Sequence, residues 1–346
     1  MITKNILPIL LCIGFPVLLV SCSDEEDNTV RREHGTAIVP TATLNIVQTS
    51  SRVGELSGLV SGPTFPKDSK NVFAITAYKG DAVPTTDYNI TYFHNEPINS
   101  SGGEMLFNIP QYYPNREKLY FYAYSPVNES NYSKGDATRQ PSVTFNIANE
   151  PTDILWAKQD KGIAIAKVGE KQEQPSFVFK HKLQLLQFKF VKVANSTADY
   201  KVTQICVTGN PTHVNDENNK TKGTAILNLI NGNITYEGEN KEYKLKNLSH
   251  NVKSTDDAKE IDKYLLTRPI KNIKLTITYD ITNSKGTTNT KTFTSYVTLE
   301  GAETDIGGKK YLLTIDFLSK SVVIVYVEKV NGWKEYNLPS QDIKQQ

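Results

Sequence analysis

The stretch "KNIKLTITY", Lys271–Tyr279, decides how this chain is to be read. Ile273, Leu275, Ile277 and Tyr279 alternate with Lys274, Thr276 and Thr278. A helix returns to one face about every 3.6 residues and would scatter these apolar side chains, whereas a strand puts all of them on one side. Period two with a polar opposite face marks a half-buried strand of an antiparallel sheet. Tyr311, Leu313, Ile315 and Phe317 repeat the pattern within Lys310–Phe317.

Upstream the same reading extends through Asn71–Tyr78 ("NVFAITAY"), Asn89–Phe93, Glu104–Ile109, Lys118–Tyr124, Ser142–Ile147 and Asp153–Ala157. These are short, aromatic or β-branched, and separated by Gly, Pro, Asn and Asp clusters. Lys167–Pro175 ("KVGEKQEQP") is polar and is the best candidate for a domain linker. Between Leu183 and Val193 the apolar phase slips, which predicts either bulges or a strand covered on both faces. Asp256–Leu266 ("DDAKEIDKYLL"), with acids at its start, is expected to be a short helix. The expectation is an all-β chain of two tandem antiparallel β-sandwiches, at 41–170 and 171–346.

Composition agrees. The chain has 346 residues, 38% of them hydrophobic, enough for two domains, and its 18 Tyr against two Met favour strands. A formal net charge of +2 gives no basis for nucleic-acid binding. The five histidines, His34, His94, His181, His213 and His250, are scattered without a two-histidine metal spacing. No Gly-x-Ser-x-Gly elbow, phosphate loop or base-partnered thiol is evident, so no catalytic residue, metal or cofactor is assigned and an enzyme is not expected. Asn215–Lys220 ("NDENNK") lacks the Gly and terminal Glu of a calcium loop and reads as a turn. His181 is expected to be a hydrogen-bonded structural residue. Tyr120, Phe121, Tyr122, Tyr124, Trp156 and Trp333 are expected in the core, with a sugar-stacking platform as the alternative for either tryptophan.

The amino terminus carries a different signal. Residues 1–21 have a positive start at Lys4 and an apolar run from Ile6 to Val20, too short for a spanning helix of about 20 residues but suited to a signal peptide. Leu19-Val20-Ser21-Cys22 resembles the lipobox of bacterial lipoproteins. That likeness implies cleavage between Ser21 and Cys22 and lipidation of Cys22. Ser23-Asp24-Glu25-Glu26-Asp27 is similar to a lipoprotein export signal that leads to the outer face of the outer membrane. Residues 22–40 then form an acidic, polar tether. With Cys12 lost and Cys22 acylated, Cys206 is left alone in an apolar strand, as a buried thiol.

"LYFYAYSP" (Leu119–Pro126), "TDILWA" (Thr152–Ala157) and "FVFKHKLQLLQFKF" (Phe177–Phe190), followed by "YLLTIDF" and "VVIVYVEKVNGW", resemble in order and spacing the fimbrillins, the lipoprotein pilins of type V pili. The resemblance covers most of the chain. It implies Greek-key, transthyretin-like sandwiches and a non-enzymatic fimbrial subunit at the cell outer membrane and in the fimbrium. The partners implied are other fimbrillin subunits, the outer membrane through the lipid, an Arg-specific protease, and a host or bacterial surface ligand. In that family the protease removes the first strand and a neighbour's C-terminal strand fills the groove. Here the resemblance puts the removable strand at 43–47, with Leu44 and Ile46 facing one way, and the cut between Arg52 and Val53. Arg31-Arg32 is the competing site. Lys329–Leu338, anchored by Trp333, Tyr336 and Leu338, is the expected donor strand, while Val322–Val327 is apolar on both faces and is expected inside the fold. A non-polymerising tip or anchor subunit and a surface glycan-binding lipoprotein are the alternatives.

Overall fold

The computed structural model describes residues 35–44, 65–82, 84, 88, 91–148, 152–159, 161–193, 196–211, 220–254, 257–299 and 308–318, and the backbone of 323–330. Before residue 182 the strands are β1 (Thr41–Leu44), β2 (Phe73–Gly80), β3 (Thr91–Ser101), β4 (Glu104–Phe107), β5 (Lys118–Ser125), β6 (Tyr132–Ser133), β7 (Ser142–Asn146), β8 (Leu155–Lys158) and β9 (Ser176–His181). After it come β10 (Gln184–Lys192), β11 (Asp199–Gly209), β12 (Lys222–Asn228), β13 (Ile234–Asn240), β14 (Tyr243–Leu245), β15 (His250–Asn251) and β16 (Lys253–Ser254). The chain continues with β17 (Glu260–Thr267), β18 (Asn272–Thr282), β19 (Thr288–Thr298), β20 (Lys310–Phe317) and β21 (Val323–Val330). Glu129–Asn131 form a 3-10 turn between β5 and β6. The fold class is all-β.

Seven strands form the first sheet, in the order β1-β9-β8-β5-β2-β3-β4. Its pairings are antiparallel except for β1 on β9. Both faces are covered, which explains why "LYFYAYS" shows no alternation: every residue of β5 after Lys118 is buried. Phe73, Ile75, Phe121, Phe177 and Phe179 point into one apolar cluster. Tyr78, Tyr122, Tyr124 and Trp156 belong to the other, with Val143, Phe145, Ala225 and Leu227 of the four-stranded sheet β13-β12-β7-β6.

The remaining strands build two five-stranded sheets that share the second cluster. One contains β16, β17, β10, β20 and β21; the other contains β14, β15, β11, β18 and β19. Lys271–Tyr279 lies in the second of these, with Ile273, Leu275, Ile277 and Tyr279 buried as the alternation requires. Phe317 joins the sheets, its ring centroid 5.0 Å from Tyr200 and 4.9 Å from Tyr279.

Two expectations on phase resolve differently. In β10 both open explanations hold: Gln184–Phe188 are all buried, and the register against β17 shifts between Gln187 and Lys189. The expected helix at Asp256–Leu266 is wrong. Glu260–Thr267 is β17, antiparallel to β10 with Thr267 opposite Gln184 and Tyr264 opposite Gln187. Four consecutive buried residues, Tyr264–Thr267, need cover on both faces, and tertiary pairing overrides the local helical propensity. Pairing also crosses the stretch read as a linker. β9, beyond Lys167–Pro175, belongs to the first sheet, and β12 pairs with β7.

Candidate functional site: the closing segment of the first sheet

The first sheet ends at β1, and β1 has unusual neighbours. On one side it runs parallel to β9, from Thr41 opposite Ser176 to Leu44 opposite Phe179. Thr41 N donates to Pro175 O at 2.9 Å. The residues just before it pair on the other side. Ala37 and Tyr112 form an antiparallel bridge, Ile38 N donates to Gln111 O at 2.8 Å, and Tyr113 N donates to Thr36 O at 3.0 Å. Residues 111–113 follow β4, the far end of the same sheet. The segment 36–44 therefore connects the two ends of the sheet by backbone hydrogen bonds.

Its side chains obey period two. Ile38, Pro40, Ala42 and Leu44 are buried, while Ala37, Val39, Thr41 and Thr43 are exposed. Ile38 and Leu44, each 4% exposed, enter the cluster that holds Phe65, Phe73, Phe177 and Phe179. The rings of Phe65 and Phe179 meet edge-on at 5.0 Å. Burying an aliphatic side chain of this size stabilises by about 1.5–3 kcal/mol. The segment is thus an apolar row laid along an aromatic floor.

The parallel ladder stops for a definable reason. Its next rung, Val39 opposite residue 174, would need the N–H of residue 175, and Pro175 has none. The Gln174 side chain takes over. Val39 N donates to Gln174 Oε1 at 2.8 Å, and Gln174 Nε2 donates to Ala37 O at 3.2 Å. Tyr113 Oη donates to Glu173 O at 2.9 Å and to Gln174 Oε1 at 3.4 Å. Burial pushes the Tyr113 hydroxyl well above the ordinary tyrosine range, so it stays a donor.

Of the residues singled out from sequence, Ser21, Cys22, the run Ser23–Asp27, Ile46, Arg52, Val53, Trp333, Tyr336 and Leu338 lie outside the described residues, as do 215–219 of the expected turn. The structure brings together others. His181 and Asp153, both buried, pair through Nδ1 and Oδ1 at 2.9 Å, a structural bond as expected. Trp156 is buried, its Nε1 donates to Leu229 O at 2.8 Å, and Gly232, at a φ of +72°, leaves no room for a side chain against the ring. That geometry removes Trp156 as a sugar platform. Cys206 is free and buried, and burial raises its thiol pKa. Among the described residues no group of three or more His, Cys, Asp or Glu is placed to hold a metal ion, and no helix is long and apolar enough to cross a membrane.

The sequence reading missed Gln174, Ile38 and Pro40. The row Ile38-x-Pro40-x-Ala42-x-Leu44 was a detectable period-two signal, obscured by apolar Val39 and by a proline that argues against a central strand. Nothing in the sequence marks one glutamine of "EKQEQP" as a main-chain partner.

Compared with known families, the chain matches the fimbrillin-like family over residues 63–333, and it belongs to that family. It is similar in fold to a fimbrial protein from Bacteroides vulgatus, with a TM-score of 0.58 at 15% identity, covering 85% of this chain and 99% of that one. A proposed cell adhesion protein from Bacteroides ovatus gives a TM-score of 0.50 at 14% identity over 90% of this chain and 99% of its own. A search of curated proteins returned no match.

Proposed function

We propose that this fimbrillin-like chain is a surface-exported lipoprotein pilin that assembles with other subunits by protease-triggered strand exchange. The observation that carries the reading is the segment 36–44: an apolar row at the sheet's end, hydrogen-bonded along both edges and joined to the rest of its sheet by few residues. Removing it exposes unpaired backbone groups on both sides of an aromatic slot, the two ingredients of β-augmentation. Cleavage after Arg52 separates this segment, and the lipid on Cys22 with it, from the body of the protein. Residues 22–52 hold five acids (Asp24, Glu25, Glu26, Asp27, Glu33) and three arginines (Arg31, Arg32, Arg52), so they carry −2 away. Cleavage at Arg31-Arg32 would leave the segment in place. The donor is the C-terminal segment of a neighbouring subunit, Lys329–Leu338.

The test is to treat the lipid-free precursor with an Arg-specific protease and run it unboiled on a denaturing gel. A ladder of multimers with a new amino terminus at Val53 is expected. A monomer, uncut or cut elsewhere, transfers the assignment to a tip or anchor subunit or to a glycan-binding surface lipoprotein.

A further inference from the structure

We propose that Gln174 is a positioning residue, a main-chain clamp on whichever strand fills the slot, whether the resident segment 36–44 or its replacement. The inference rests on the strand-exchange reading above. Two of the three contacts of its amide are to backbone, the N–H of Val39 and the carbonyl of Ala37, and the third is a longer one of 3.4 Å from the Tyr113 hydroxyl. The side chains of Val39 and Ala37 face outward and take no part. An extended strand presents an N–H and a C=O along the same edge at this spacing whatever its sequence, so the clamp accepts a replacement as readily as the resident.

Register is what such a strand most needs. A slip of one residue would turn the row Ile38, Pro40, Ala42, Leu44 to solvent and aim polar side chains at Phe177 and Phe179. The ladder with β9 fixes only Thr41–Leu44, and Pro175 prevents its extension. Gln174 lengthens the grip by two more positions, and Tyr113 holds the loop that carries it through Glu173 O. In the resident segment a slip that brings Pro40 to the place of Val39 would take the backbone donor away from Gln174 Oε1, because proline has no N–H.

The experiment uses the full lipid-free chain, nicked by an Arg-specific protease without separating the pieces, and a fluorescent peptide of residues 36–46. In the wild type the peptide displaces the resident fragment. Gln174→Ala should speed exchange about tenfold, the loss expected for two partly exposed hydrogen bonds, with the melting temperature of the uncut chain unchanged. Gln174→Glu keeps the acceptor for Val39 N but sets a carboxylate against Ala37 O. It should match Gln174→Ala at pH 7 and approach wild type below about pH 4, where a protonated carboxyl can donate again. Peptide exchange at the wild-type rate in Gln174→Ala, or no acid recovery in Gln174→Glu, overturns the clamp and leaves the exchange reading standing. Failure of the wild type to take up peptide overturns both.

Discussion

Two edges of this molecule, the segment 36–44 and the strand β21, would serve strand exchange, and they are built to different strengths. The first is held to β9 by a ladder of four residues, to 111–113 by one bridge, and to Gln174 by a side chain. The second runs antiparallel to β20 over eight residues without a break, from Lys310 opposite Val330 to Phe317 opposite Val323. The backbone of Val323–Val327 is thus paired with β20. Under the proposed exchange the difference suits the two roles. The strand that would leave is short and carries Pro40, and the one that would replace it follows a longer ladder in its own subunit.

The comparison is broken most severely by removing the stronger edge. Deleting 323–346 strips β20 of its outer partner, and the chain should lose ~10 °C or more of melting temperature, or all solubility. Truncation after Lys329 keeps nearly all of the β21 ladder and should cost only a few degrees while abolishing multimers on the unboiled gel. A shortened chain that still polymerises would remove Trp333, Tyr336 and Leu338 from the donor.

Alkali tests the two cores together. Burial, as the largest cause, raises Tyr124, Tyr132 and Tyr264 to about 12, and pushes Tyr78, Tyr113, Tyr122 and Tyr243 higher still. In the unfolded chain these groups ionise near 10.0. A hydroxyl whose folded pKa is raised contributes stability that is complete below pH 10 and lost as pH climbs towards 12. Melting temperature should be level up to about pH 10, then fall steeply, with tyrosinate absorbance rising in step with unfolding. Tyrosinate appearing at pH 10 in a still-folded protein would contradict this burial.

Single substitutions sharpen the contrast between a core and a removable row. Phe317→Ala, between Tyr200 and Tyr279, should cost about 3–5 kcal/mol in urea denaturation. Leu44→Ala should cost about 2 kcal/mol, and mostly locally: amide exchange at Thr41–Leu44 accelerates while β2 and β5 stay protected. Equal loss of protection in all three strands would mean that β1 is an ordinary part of the core.

The sequence carried the fold further than the site. Strands such as Lys310–Phe317 announced themselves because one face is wet and the other dry. Where both faces are dry, as in β10 and β17, period two vanishes, and β17 was taken for a helix because its ladder partner lies some 80 residues away in sequence. The closing segment was half visible. Leu44 stood out, but Ile38 and Pro40 fell in a stretch that charge and composition marked as tether. Gln174 was invisible, because its role depends on Pro175 ending a ladder that forms only after residues 37–44 have folded against it.

The smallest expected effect isolates what holds that segment. Lys161 Nζ pairs with Glu173 Oε1 at 2.9 Å, one residue from the clamp, with side chains 69% and 50% exposed. An ion pair so open to water and salt contributes about 0–0.5 kcal/mol. Lys161→Ala, or raising the salt to 1 M, should therefore leave exchange of the 36–46 peptide within about twofold of its starting rate. A larger response to either would show that charge, rather than the neutral amide and the apolar row, keeps the segment in its slot. The grip would then weaken with ionic strength, unlike hydrogen bonds and burial, which salt barely screens.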